Sequence, residues 1–114
     1  YSDRIRFNTV LENLISNAIK YHQKDRPDRY IKITGQSDHK KLQLTVADNG
    51  IGMASKHHVK IFDMFYRLSG NKDGSGIGLY IVKETVQILR GSIEVHSEEG
   101  KGTSFFITLK NLKP

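Results

Sequence analysis

The stretch that decides the fold spans residues 73–84 and has the sequence DGSGIGLYIVKE. Glycines occupy every second position from Gly74 to Gly78, and an amphipathic segment follows directly. Glycine lets the backbone approach a ligand closely, and the first turn of a helix offers unpaired N–H groups at the positive end of its dipole. Together these features are typical of an anion site, most often for phosphate. The alternative, a flexible turn without a ligand, stays open on this stretch alone.

Hydrophobic periodicity on both sides of this stretch predicts helices and strands. The predicted helices cover residues 3–22, about 55–62 and 76–90. The predicted strands cover residues 29–36, 41–48, 92–97 and 103–110, in two hairpins that helices separate. We therefore expect a single domain over residues 1–114. Its predicted fold is a two-layer α/β sandwich, with about three helices on one face of a mixed, mainly antiparallel sheet.

Composition excludes several classes of site. The chain has no cysteine, which excludes disulfides and thiolate metal sites. No apolar run approaches the ~20 residues that a membrane-spanning helix needs. The net charge of +6 suits a polyanion such as a nucleotide, but the charge is dispersed, so no nucleic-acid partner is expected. None of the five histidines has metal-ligand spacing with a carboxylate, and we interpret all five as surface or structural residues.

A polar stripe follows the first predicted helix. Asn13, Asn17 and Lys20 lie at i, i+4 and i+7, with Tyr21 beside them. The asparagine side chain offers a carbonyl oxygen that Mg²⁺ accepts beside phosphate oxygens, and the lysine ammonium meets a phosphate as a point charge. The alternative is a polar helix edge that faces solvent.

Asp48 ends the second predicted strand and precedes Gly50 and Gly52. A carboxylate there, beside glycines that let a ligand approach, can accept a hydrogen bond from an amino group such as that of adenine. The alternative is a turn aspartate that bonds its own backbone. Further along, Arg67 is a cation in the loop-like segment 66–75, which we expect to be mobile because it has little to bury.

Five blocks occur in a fixed order along the chain. They are Asn13–Tyr21 (NLISNAIKY), Asp48–Met53 (DNGIGM), Ile61–Arg67 (IFDMFYR), Gly74–Leu79 (GSGIGL) and Gly100–Phe105 (GKGTSF). In order and spacing they resemble the N, G1, F, G2 and G3 boxes of the catalytic, ATP-binding domain of sensor histidine kinases. The resemblance covers about residues 3–110. It implies the Bergerat-type ATP-binding fold of the superfamily that includes DNA gyrase B, HSP90 and MutL.

The resemblance implies a catalytic set and a lid. Asn17 would be the Mg²⁺ ligand, with Asn13 nearby on the phosphate side. Arg67 would be a γ-phosphate contact, and residues 66–75 would form the ATP lid. One departure from the family is the pair Arg90-Gly91 after the second long helix, where the family usually has two glycines.

The resemblance also implies a set of nucleotide-binding residues. Asp48 would bind the adenine amino group, with Gly52 under the base and Thr103 beside Asp48. The other positions that match the boxes are Lys20, Tyr21, Gly50, Met53, Leu68, Gly74, Gly76, Ile77, Gly78 and Leu79.

The implied function is binding of Mg·ATP and supply of its γ-phosphate to a histidine on a separate dimerisation domain, in two-component signalling. The implied partners are that domain of the parent chain, the parent being a homodimer, and the receiver domain of a response regulator. We expect a fragment that lacks this acceptor domain and the strand that usually precedes the first helix, and that is nearly inactive alone. Two alternatives stay open: a serine kinase of the anti-sigma-factor type, and a nucleotide-binding module without catalysis. A cytoplasmic domain is expected, with an inner-membrane anchor of the parent left open.

Overall fold

The computed structural model describes residues 2–38, 40–64, 66 and 77–110, and it shows two helices packed on a four-stranded sheet. The helices are α1 (Ser2–Lys20) and α2 (Gly78–Ile88). The strands are β1 (Ile31–Ser37), β2 (Lys41–Asp48), β3 (Ser92–Glu98) and β4 (Gly102–Lys110). The predicted two-layer sandwich is therefore confirmed. Neither described helix is both long and apolar enough to cross a membrane.

The strands lie in the order β1-β2-β4-β3, and each neighbouring pair is antiparallel. Each predicted hairpin forms, and the pairing of β2 with β4 joins the two hairpins. Within the described residues the sheet is antiparallel throughout, where a mixed, mainly antiparallel sheet was expected. The register of the central pair sets Asp48 opposite Thr103.

The core lies where both helices meet the central strands β2 and β4. In β4 the buried residues alternate with residues that face away from the helices, as the sequence pattern predicts. The most deeply buried large side chains, at most 1% exposed, are Val10, Leu14, Val46, Val82, Val86, Phe105, Ile107 and Leu109. The apolar stripes of α1 and α2 are therefore buried in this core, and the polar edges of both helices remain for other contacts.

The alternation of Ile31 and Ile33 with polar residues predicts a half-buried strand. β1 departs from this prediction, since all seven of its residues are exposed. Ile33 pairs with Val46 and so shares the helix-facing side of the sheet, yet Ile33 is 45% exposed and Val46 only 1%. β1 is an edge strand, and α1 packs against β2 while α2 packs against β3. Alternation thus predicts the face that an apolar residue takes, but not whether another element covers that face.

The short helix expected over about 55–62 is a 3₁₀ helix of three residues, Ser55–His57, followed by turns. Ile61 and Phe62 are nevertheless buried in the core. The side chain of His57 hydrogen-bonds the hydroxyl of Tyr66 through Nδ1, which ties the two ends of this irregular segment together. Ile61 and Phe62 therefore reach the core from turns, without a regular helix.

The Arg90-Gly91 pair forms the end of α2, and the two residues meet different backbone requirements there. Gly91 donates its N–H to the carbonyl of Val86 at 2.9 Å and closes the helix, as predicted. A Cβ on Gly91 would lie 2.3 Å from the carbonyl oxygen of Thr108, so no side chain fits there. The left-handed backbone position falls on Arg90, whose φ is 59°. An arginine therefore holds a conformation that favours glycine.

Replacing Arg90 with glycine should raise the free energy of unfolding by about 0.5–1 kcal/mol, because left-handed backbone is costly for a residue with a Cβ. Urea denaturation measures the change. Arg90→Ala is the control: it keeps the Cβ while removing the guanidinium, and it should not stabilise. Equal stability of Arg90→Gly and the wild type would contradict the strain at this turn.

Candidate functional site

Asp48 lies at the end of β2 with its side chain half-buried. Its Oδ1 accepts hydrogen bonds from the backbone N–H of Gly50, at 2.8 Å, and from that of Thr103, at 3.3 Å. The second contact follows from the β2–β4 register, which places Thr103 directly opposite Asp48. Both contacts use Oδ1. Among the described residues nothing bonds Oδ2, so this oxygen remains for a ligand.

Burial raises the pKa of Asp48 above its ordinary value, while the hydrogen bonds from Gly50 and Thr103 act in the opposite direction and are outweighed. The ionised carboxylate is therefore held at a free-energy cost in the folded protein. A further hydrogen-bond donor from a ligand would offset that cost, because bonds to a charged acceptor are the stronger kind.

Backbone hydrogen bonds connect the loop that follows Asp48 to two neighbouring segments. The N–H of Ile51 donates to the carbonyl of Tyr21, just after α1, at 2.9 Å. The carbonyl of Ile51 accepts from the N–H of Gly100, in the turn between β3 and β4, at 2.8 Å. The loop therefore bridges the end of α1 and the β3–β4 turn.

Two glycines of this loop have a packing reason of their own. Gly52 has a φ of 68°, and a Cβ on it would lie 1.9 Å from the carbonyl oxygen of Glu98. A Cβ on Gly50 would lie 2.4 Å from the carbonyl oxygen of Tyr21. The sequence predicted that both glycines give a ligand access. The structure shows that both glycines allow the close approach of backbone carbonyl groups from neighbouring segments.

Ser97, on β3, hydrogen-bonds the same loop, and the sequence analysis did not identify it. The N–H of Met53 donates to Ser97 Oγ at 2.9 Å, and the Ser97 hydroxyl donates to the carbonyl of Gly102 at 2.9 Å. Thr103 Oγ1 lies 2.9 Å from Ser97 Oγ and must be the donor there, since the Ser97 hydrogen is already used. Only the hairpin register, which pairs Ser97 with Thr103, carries a sequence signal for this contact.

Asn13 and Asn17 lie one turn apart on α1, both half-buried. Asn13 Nδ2 donates to the carbonyl of Thr9 at 2.8 Å, and its Oδ1 lies near the start of α2, 3.1 Å from where a Cβ on Gly78 would be. Within the described ranges no hydrogen bond engages the side chain of Asn17, so its carbonyl oxygen is available to a cation. The predicted stripe thus borders the α1–α2 interface rather than facing bulk solvent.

The start of α2 lies beside Asn13, and among the described residues no side chain caps its first N–H groups. Ile77 is the N-cap and makes no side-chain cap, and the first turn holds no acidic residue. Leu79 is 8% exposed and anchors this turn in the core. At the end of α1, the Lys20 ammonium lies 5.8 Å from the ring centroid of Tyr21. The N–H groups of a helix start suit an anionic ligand.

The predicted residues thus form two groups. Asp48, Gly50, Gly52, Met53 and Thr103 meet at one end of the central strands. Asn13 and Gly78 meet across the helices, with Asn17 one turn further along α1.

Four predicted site residues, Arg67, Leu68, Gly74 and Gly76, lie outside the described residues, as do all of the predicted lid 66–75 except Tyr66. Their roles stay predictions.

Asp48 also lines a cavity of about 390 Å³. The cavity is lined by Ala18, Ile19, His22, Arg29, Tyr30, Ile31, Asp48, Asn49 and Gly50. Ile19 lies about 200° around α1 from Asn17, at 3.6 residues per turn. This cavity therefore does not combine Asp48 with the two asparagines, neither of which lines it.

Comparison with known proteins gives one family. Residues 2–113 match the family described as "Histidine kinase-, DNA gyrase B-, and HSP90-like ATPase". The methanogenesis regulatory histidine kinase FilI of Methanothrix harundinacea is 39% identical over 107 residues, which are 94% of this chain and 12% of FilI. Across four of the curated relatives the chain spans between 12% and 22% of their length.

Solved structures agree with the sequence relatives. The mycobacterial sensor histidine kinase MprB superposes with a TM-score of 0.80 at 26% identity, over 92% of this chain and 72% of that one. Full-length ShkA, in complex with AMPPNP, superposes with a TM-score of 0.77 at 28% identity, over 91% of this chain and 21% of that one.

Gly52→Ala should destabilise the protein by about 2 kcal/mol or more beyond Gly100→Ala, since both positions have positive φ but only Gly52 also lacks room for a Cβ. Nothing lies within 4 Å of a Cβ on Gly100, so that variant reports backbone strain alone. Urea denaturation of the two variants gives the difference. Equal losses would contradict the close approach of Gly52 to Glu98.

The raised pKa of Asp48 predicts a pH signature. Between the ordinary aspartate pKa and the raised one, the folded protein holds a proton that the unfolded chain has lost, so this group lowers stability as pH rises through that window. Asp48→Asn keeps an acceptor oxygen and removes the effect, so its unfolding free energy should gain on the wild type as pH rises above the ordinary aspartate pKa of about 4. Parallel pH curves from urea denaturation would contradict the assignment.

Proposed function

The chain belongs to the histidine kinase-, DNA gyrase B- and HSP90-like ATPase family, and from this premise we propose that it binds Mg·ATP for phosphoryl transfer to a histidine on a separate domain. Its relatives identify it as the catalytic, ATP-binding domain of a sensor histidine kinase. The chain spans only a small part of those relatives. We therefore also propose, for the parent protein, an acceptor histidine on another domain, a homodimer and a response-regulator partner.

The observation that carries the proposal is the Asp48 carboxyl, with Oδ1 fixed by two backbone N–H groups and Oδ2 left for a ligand. The amino group of adenine is a donor and suits such an acceptor. Guanine and hypoxanthine carry a carbonyl oxygen at that ring position, which a carboxylate would repel. The arrangement therefore favours adenine among the purines.

The phosphate end would form between the two helices. The start of α2 would offer the N–H groups of its first turn beside Asn13, and Asn17 would offer a carbonyl oxygen for Mg²⁺ one turn along α1. Lys20 adds a positive charge at the end of the same stripe. When bound, Mg·ATP supplies the phosphoryl group, while the residues of this chain orient it and offset its charge.

The acceptor histidine would come from the separate domain. His57 bonds the Tyr66 hydroxyl, and His96 lies 3.6 Å from Glu94 with its ring against Phe106. These contacts support the interpretation of both histidines as structural. The domain alone should therefore bind nucleotide and turn it over slowly, since the nucleophile is supplied elsewhere.

Calorimetry with ADP and with Mg·AMPPNP tests the proposal. Asp48→Asn should weaken ADP by about 10–100-fold, the size of a hydrogen bond to a charged group. Asn17→Ala should remove the strengthening of AMPPNP binding by Mg²⁺ and leave ADP binding without metal unchanged.

Glu94→Gln is the matched control, because it removes an exposed carboxylate from β3 and should leave both affinities unchanged. The proposal fails if the wild-type domain binds neither nucleotide, and the adenine assignment fails if Asp48→Asn binds ADP as tightly as the wild type.

A further inference from the structure

We propose that Gln23 is a positioning residue for Asp48 that sharpens selection of the adenine base. Gln23 lies in the polar segment between α1 and β1, a region in which the sequence patterns assign no functional residue. The inference rests on the proposed binding of ATP and deepens it by naming a determinant of base specificity.

The side-chain amide of Gln23 contacts three backbone carbonyls. Nε2 donates to the carbonyl of Asn49 at 3.0 Å, to that of Gly50 at 2.8 Å and to that of Gly100 at 3.0 Å. All three partners only accept hydrogen bonds, so the nitrogen and not Oε1 must face them. An amide nitrogen carries two hydrogens, and at least one of them is therefore shared between two carbonyls.

These carbonyls belong to the two segments whose N–H groups bond Asp48. Gly50 gives its N–H to Asp48 Oδ1 and its carbonyl to Gln23, so both peptide groups of Gly50 are held. Gly100 lies in the turn that leads into β4, where Thr103 supplies the second N–H to Asp48. Gln23 thus sets the spacing between the two donors of the Asp48 carboxyl.

Other contacts keep the fold intact without Gln23. The Gly100 N–H also bonds the Ile51 carbonyl, and the side chain of Asn49 accepts from the N–H of Tyr30 at 2.9 Å. Gln23 itself is half-buried and Gly100 is exposed, so water can replace a lost donor. Loss of Gln23 should therefore loosen the spacing around Asp48 more than it lowers stability. The Thr103 contact, the longer of the two at 3.3 Å, is the more sensitive to that spacing.

The test compares binding of ADP with that of inosine diphosphate, which carries a carbonyl oxygen in place of the adenine amino group. Gln23→Met keeps the length of the side chain and removes the donors, and it should lower the preference for ADP by about three- to tenfold. Gln23→Lys restores N–H donors and should retain most of the preference. Gln87→Met, the same change at an exposed position on α2, should leave the preference unchanged.

A double-mutant cycle separates positioning from general loosening. In the Asp48→Asn background, Gln23→Met should change the preference no further. Should Gln23→Met not fold, Gln23→Asn, which shortens the side chain by one methylene, replaces it with the same expected direction.

Several outcomes overturn the inference. They are a wild-type preference that Gln23→Met leaves intact, an equal drop in both Asp48 backgrounds, and a loss in Gln23→Lys as large as that in Gln23→Met. A wild-type domain that does not bind ADP would instead overturn the proposed function, so the two failures are distinguishable.

Discussion

Antiparallel pairing of β2 with β4 sets Asp48 opposite Thr103 and Val46 opposite Phe105. Val46 and Phe105 are each 1% exposed, so the same register that fills the core also delivers the carboxyl to its donors. A slip of one residue in β2 would turn Val46 to the open face of the sheet and Asp48 away from the helices. Burial of the core therefore fixes the chemistry at the end of the strands.

The candidate site divides into two ends that are held by different means. The backbone hydrogen bonds of Ile51 to the Tyr21 carbonyl and from the Gly100 N–H, together with Ser97, hold the Asp48 loop. The other end depends on side chains of α1 and on the first turn of α2. The proposed base-binding end is fixed by the fold and so suits recognition of one purine, whereas the proposed phosphate-binding end is built on the surfaces of two helices.

Much of this could be predicted from the sequence, because alternation and helical spacing report which faces are apolar. β2 and β4 followed their patterns closely. The resemblance to the family came from five sequence blocks in a fixed order. The exposure of Ile33 could not be predicted, since it depends on which elements cover the edge strand. Gln23 could not be found either, because its contacts join segments far apart in sequence, and for Ser97 only the pairing register of the β3–β4 hairpin carried a signal.

The central claim is that adenine nucleotide binds at the Asp48 carboxyl. Titration of the ¹⁵N-labelled domain with ADP, followed by NMR, tests it most directly. The amide signals of Gly50, Gly52 and Thr103 should move, while those of Gln36 and Thr108, on the face of the sheet away from the helices, should not. Shifts confined to that open face, with Gly50 and Thr103 unmoved at saturation, would contradict the account.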